Sequence, residues 1–134
     1  MSRSLTKVAS TYQQEWFQAE PDIFVVIPEP GYKDSLEAAR VNSEMVRTLA
    51  RDQGRRCGFV IVMSHHISQG AEAREVYARG LPRELIYGVA LVAENPLARA
   101  ISSFYLGFSK PSVTIRIVDS VDAGISWLES IRET

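Results

Sequence analysis

The chain has 134 residues, enough for one domain built around its own core. With 46% hydrophobic and 23% charged residues and no apolar run approaching the roughly 20 needed to cross a bilayer, disordered, collagenous and membrane-spanning classes are excluded. The 15 Lys and Arg against 16 Asp and Glu leave a net charge of −1, which argues against binding nucleic acid through its phosphates.

Residues 1–11 carry no apolar periodicity and are expected to form a flexible tail, with a single domain over 12–134. The start MSRSLTKVAS lacks an apolar signal core, so a cytoplasmic location is the expectation. Tyr12–Gln18 and Asp22–Pro28 then read as two strands of a hairpin, the second rich in β-branched and aromatic residues. The prolines and glycine of PEPGY end it. A helix follows, capped by Asp34 or Ser35 and closed by Gly54, with Leu36, Ala39, Val41, Met45, Val46, Leu49 and Ala50 as its apolar face. Arg51, Arg55 and Arg56 near its end complement the helix C-terminus.

Cys57–Met63 is an uninterrupted apolar run, as in a strand covered on both faces. Its cysteine, the chain's single one, excludes an internal disulfide and reads as a buried thiol. SHHISQG is expected to be a loop, with Ser68 capping a helix that runs to Gly80. Leu85–Ala93 is a second continuous apolar strand. Asn95 and Pro96 open the next helix as cap and first-turn proline, and Lys110-Pro111 stops it. Val113–Val118 is a short strand, after which Asp119 or Ser120 caps the last helix through Trp127 and Leu128.

The order β-β-α-β-α-β-α-β-α predicts an α/β fold: a mostly parallel central sheet with an N-terminal antiparallel hairpin and about four helices. No internal repeat or interdomain linker is visible.

Two segments are candidates for a working site. The loop holding Ser64, His65, His66 and Ser68 directly follows a buried strand, where open α/β sheets bind ligands. Two histidines are capable of metal ligation or proton transfer, but no carboxylate or cysteine lies at ligand spacing and HExxH, CxxC and HxH are absent. A metal is therefore not expected, and a histidine-dependent enzyme is the least favoured of the readings. The serine hydroxyls near a helix start suit a phosphate electrostatically, although capping explains Ser68 equally well. Glycine-rich phosphate loops and the GxSxG elbow are missing, so no catalytic residue and no cofactor is assigned.

The second segment is the helix from Pro96 to Gly107. Leu97, Ala100, Ile101, Phe104, Tyr105 and Phe108 follow a helical period. With Leu106 off the stripe, the helix is apolar on more than one side. Phe104, Tyr105 and Phe108 are accordingly candidates for an apolar ligand pocket or an interface with a protein partner or a second copy.

The stretch from Tyr87 to Leu128 resembles the SpoIIAA-like family of bacterial STAS-type domains, whose fold is shared with anti-sigma-factor antagonists and, distantly, with CRAL-TRIO lipid-transfer domains. The matching residues are Ala90-Leu91-Val92, Asn95-Pro96-Leu97, Arg99, Phe104-Tyr105-Leu106, Lys110-Pro111, Arg116 and, shifted in detail, Ala123 with Trp127-Leu128; Ile67-Ser68 and Ala73-Arg74 echo a helix start of the family. Departures are Ser103 where asparagine is usual, Ile117 and Val118 in place of an aromatic, and Gly124 for an alanine. The resemblance implies a SpoIIAA-like fold and no established activity in most relatives. The regulatory serine of the antagonists falls near Ser64 or Ser68, but its Asp-Ser-Ser-Gly context is absent, so a phosphoswitch does not carry over. These features together predict a non-enzymatic binding or regulatory module acting through protein contact, with a carrier or sensor of a small apolar or lipid-like ligand as the alternative.

Overall fold

Alternation along the strands divides this protein's side chains between two cores, one on each face of a single sheet. The computed structural model describes residues 4–80, 82–107 and 113–132. In chain order they form β1 (Thr6–Thr11), β2 (Gln14–Glu20), β3 (Ile23–Pro28), β4 (Tyr32–Asp34), α1 (Leu36–Gln53) and β5 (Cys57–Val62). There follow β6 (His66–Gln69), α2 (Ala71–Arg79), β7 (Ile86–Val92), α3 (Pro96–Leu106), β8 (Thr114–Val118) and α4 (Val121–Ile131).

The main sheet has the order β1-β2-β3-β5-β7-β8. The first two pairings are antiparallel and the remaining three parallel. The apolar runs centred on Val60 and Val89 thus take the middle of the sheet, as strands covered on both faces must. Phe24, Val26, Phe59, Val89, Leu91 and Ile115 enter one core, where α1, α2 and α3 supply Ala50, Tyr77, Ile101 and Tyr105. Their sequence neighbours Ile23, Val25, Val60, Ala90 and Val92 enter the other, closed by Ile125 and Leu128 of α4. This α/β architecture, with its mostly parallel sheet, antiparallel start and four helices, matches the expectation from the sequence. No helix among the described residues is long and apolar enough to cross a membrane.

Several caps also stand as read. Ser35 accepts from the Ala38 N–H, Asn95 from Ala98 and Ser120 from Ala123, while Gly54 ends α1 in the left-handed region at φ 67°.

Three expectations need correction. Thr6–Thr11 is not a tail but an edge strand paired with β2. Its side chains are mostly exposed, so the backbone ladder holds it, aided by the Trp16 indole N–H donating to the Thr11 hydroxyl at 2.8 Å. The turn between the strands puts Gln13 at φ 54°, without the Asn-Gly or Asp-Gly that marks a hairpin in sequence. Second, the expected loop after β5 contains β6, which pairs in parallel with β4 as a separate two-stranded sheet. Third, Ser68 lies exposed in that strand opposite Lys33 and does not cap α2; Gly70 stands at the cap position with no side-chain bond.

α4 lies very close to the sheet. A Cβ on Gly58 or on Gly88 would come within 2.9 Å of Leu128 Cδ2, and one on Gly124 within 3.1 Å of Val60. These glycines make room for a fully buried leucine. Gly88→Ala alone is expected to cost about 1–3 kcal/mol by overpacking. Leu128→Ala alone should cost about 2–5 kcal/mol by leaving a cavity. The double variant should cost clearly less than the two together, since each change relieves the other; strict additivity in urea denaturation would refute the close-approach account.

Candidate functional site

A carboxylate without water needs several donors, and Asp34 has them. Its side chain is 3% exposed at the end of β4. Tyr77 of α2 donates to it at 2.7 Å and Gln69 of β6 at 2.9 Å. Tyr32 and His66 Nε2 lie at 3.4 Å, long enough that the first two bonds dominate. Asn42 of α1 donates to the hydroxyls of both Tyr32 and Tyr77 at 3.0 Å, which leaves each phenol proton directed at the carboxylate. The Tyr105 hydroxyl of α3 donates to Gln69 Oε1 at 2.8 Å. Burial, and after it the charge of Asp34, push the three phenols above their ordinary pKa, so they remain donors across the physiological range.

Local sequence explains why these groups converge. β4 and β6 each follow a central parallel strand and pair with one another, bringing Asp34 opposite Gln69 and Tyr32 opposite His66. Ser35 caps α1 immediately after Asp34, so the inward face of the helix presents Ala38, Ala39 and then Asn42.

The cluster forms the polar end of a cavity of about 110 Å³ under the three helices. Val26, Phe59, Met63, Val89, Leu91 and Ile115 form its apolar floor, and Gln14 of β2 lines it as well. Two atoms of the lining residues are buried without a hydrogen-bond partner, Gln14 Oε1 and His66 Nδ1.

Of the residues singled out in the sequence, His66 and Tyr105 belong to this site. His65 faces elsewhere: its Nδ1 lies 2.6 Å from the Pro28 carbonyl, which can only accept, so that nitrogen carries the hydrogen. Ser64 accepts from the Glu94 N–H at 3.2 Å, while Asn95 donates to the Ser64 carbonyl, fixing the end of β5 to the start of α3. Ser68 is exposed. Phe104 is 41% exposed, with the Arg74 guanidinium 5.3 Å from its ring centre and Tyr105 edge-on to it. Phe108 lies outside the described residues.

The buried stripe of α3 is Ala98, Ile101, Ser102 and Tyr105, one residue round from the stripe read by hydrophobicity. Cys57 is buried, and burial with the charge of Asp22 pushes its thiol up to about 11, so it is no nucleophile at neutral pH. Among the described residues no three His, Cys, Asp or Glu side chains come together as a metal would require. In the sequence Asp34 stands out only as an alternative cap for α1, and Asn42, Gln69, Tyr77 and Gln14 do not stand out as site residues. Asn42 is legible as a polar residue three positions after Ala39 on the inward helical face.

Residues 17–132 match the family described as a domain of unknown function, DUF7793. The chain belongs to this family. No curated protein sequence matches it. In three dimensions this DUF7793 domain is similar to an uncharacterised protein of the DUF3478 family with a SpoIIAA-like fold from Shewanella loihica PV-4. The TM-score is 0.57 at 10% identity, over 96% of this chain and 98% of the other. The SpoIIAA-like fold expected from the sequence is thereby shown, and at that identity the likeness is one of fold alone.

Tyr77→Phe removes the shortest bond to the buried carboxylate and an acceptor for Asn42, and is expected to lower stability by about 1–3 kcal/mol. Tyr12→Phe, at an exposed ring, should change it by less than about 0.5 kcal/mol. Equal effects of the two in urea denaturation would show that Asp34 does not depend on this network.

Proposed function

We propose that this DUF7793 domain is a non-enzymatic binding module whose ligand site is the cavity between the sheet and the helices α1, α2 and α3. The cavity itself carries the reading. Native interiors rarely leave space larger than a water molecule. A space of about 110 Å³ with a mainly apolar lining offers a bound molecule room that close packing elsewhere in the core does not. An engineered cavity of roughly 150 Å³ accommodates benzene, so the occupant here is about one ring in size, far below a lipid. Catalysis by His66 is disfavoured because no hydroxyl or thiol among the described residues pairs with its Nδ1.

The test is to fill the space. Val46, half-buried on α1, lines the cavity, and Val46→Phe places a ring in it. Small aromatic probes should raise the melting temperature of the wild type and leave that of Val46→Phe unchanged, in differential scanning calorimetry. An equal rise in both proteins would remove the cavity from consideration.

A second reading, contact with a protein partner or a second copy, is favoured by the outer side of α3. Leu97 and Phe104, seven residues apart and so on one side of the helix, are 47% and 41% exposed, and Ile67 on the adjoining β6 is 52% exposed. Phe104→Asp should leave the fold intact, since the ring is not core. It should also abolish any concentration-dependent dimer seen by sedimentation velocity. A wild-type chain monomeric at all concentrations would exclude self-association, and the surface would then serve a different protein.

A further inference from the structure

We propose that the cavity selects a neutral, ring-sized molecule bearing N–H or O–H donors, rather than a purely apolar or anionic one. This rests on the cavity being a ligand site and adds the chemistry of recognition.

The inference follows from what remains after the protein has paired its own groups. The proton of Tyr77 goes to Asp34 and that of Tyr105 to Gln69. The Gln69 amide N–H goes to Asp34, and Asn42 is engaged by both its ends, its Oδ1 accepting from Thr11 at 3.3 Å. Among the residues lining the cavity, the buried atoms without a partner are Gln14 Oε1 and His66 Nδ1. Both residues are about 95% buried, so bulk water does not serve them. The carbonyl oxygen of Gln14 is an acceptor. The His66 nitrogen facing the Asp34 carboxylate is Nε2, so in the neutral ring Nε2 carries the hydrogen and Nδ1 presents a lone pair. Two acceptors therefore await donors, beside an apolar floor that suits a ring. An anion would meet the two lone pairs and the buried charge of Asp34, which repel it. A hydrocarbon would fit the floor and leave both acceptors unpaired, which is the costly case.

Phenol, toluene and benzoate separate these possibilities, because the first two differ only in a hydroxyl for a methyl. Each is titrated into the full ¹⁵N-labelled chain, following the amide signals of Val89, Leu91 and Asn42. Phenol is expected to bind about tenfold more tightly than toluene, with benzoate weaker than both. In Gln14→Met, similar in volume but without the acceptor, that preference should shrink severalfold while the spectrum keeps its dispersion. The wild-type comparison stands even if the variant folds poorly, and Gln14→Leu provides a second substitution. Toluene binding as tightly as phenol would overturn the proposal and leave the cavity as a ligand site. Preferential binding of benzoate, or a phenol preference unchanged in a folded Gln14 variant, would also overturn it. No localised shift with any of the three up to their solubility would overturn both this proposal and the ligand site on which it rests.

Discussion

The half of the molecule that bears the cavity depends on the burial of one carboxylate. A lone charge at the depth of Asp34 would cost several kcal/mol, and the protein offsets this by converging donors from separate elements. Tyr77 ties it to α2 and Gln69 to β6, while Asn42 brings in α1 through the two phenols it orients. Gln69 then passes the network on to Tyr105 of α3. The short β4–β6 pair, too small to persist on its own, is held by this convergence. The three helices on that face are thereby held by polar contacts in addition to the apolar packing of Ala50, Ile101 and their neighbours. The cavity lies between these polar anchors and the apolar floor of the sheet.

The opposite face is built on the other principle. α4 sits over Gly58 and Gly88 so closely that Leu128 occupies the space a Cβ would take. At the end of this helix Arg132 joins Glu20 at 2.7 Å and Asp22 at 3.2 Å, and the Tyr87 hydroxyl reaches Asp22 as well. Close packing fills the contact between α4 and the sheet there. One sheet thus carries a rigid face and a face with room in it, and the difference lies in whether small or polar residues stand at the contact positions.

That difference explains which parts were legible in the sequence. Continuous apolar runs such as CGFVIVM have one reading, as do Asn95-Pro96 and Gly54 at helix ends. Signals of this kind are local, and they sufficed for the order of elements and the fold. β1 escaped because its ladder is a backbone interaction that its exposed side chains do not report. β4 and β6 escaped because three or four residues cannot display a period. In α3 hydrophobicity selects Leu97 and Phe104, whereas contact with β8 and β6 selects the smaller Ala98 and Ser102, one residue round the helix. The site was least visible. Asp34, Asn42, Gln69 and Tyr77 are ordinary surface residues in sequence, and they become a site only through pairing between segments more than thirty residues apart.

The arrangement also weighs against stability in a definite way. Two buried acceptors without partners in the protein cost about 1–3 kcal/mol each. Domains of this size are stable by only about 5–15 kcal/mol, so these features take up a substantial share of the margin. Methionine in place of Gln14 and a larger side chain in place of Val46 would recover part of it with no change of fold. Local rules broken without local benefit concentrate where a protein works. Two of the buried polar atoms without a partner among the described residues, Gln14 Oε1 and His66 Nδ1, share the walls of the cavity. The SpoIIAA-like fold accounts for the sheet and the order of its helices, and an acceptor-lined space on one face is something beyond it. That space belongs to the residues of this chain, and it is where their chemistry is least explained by folding alone.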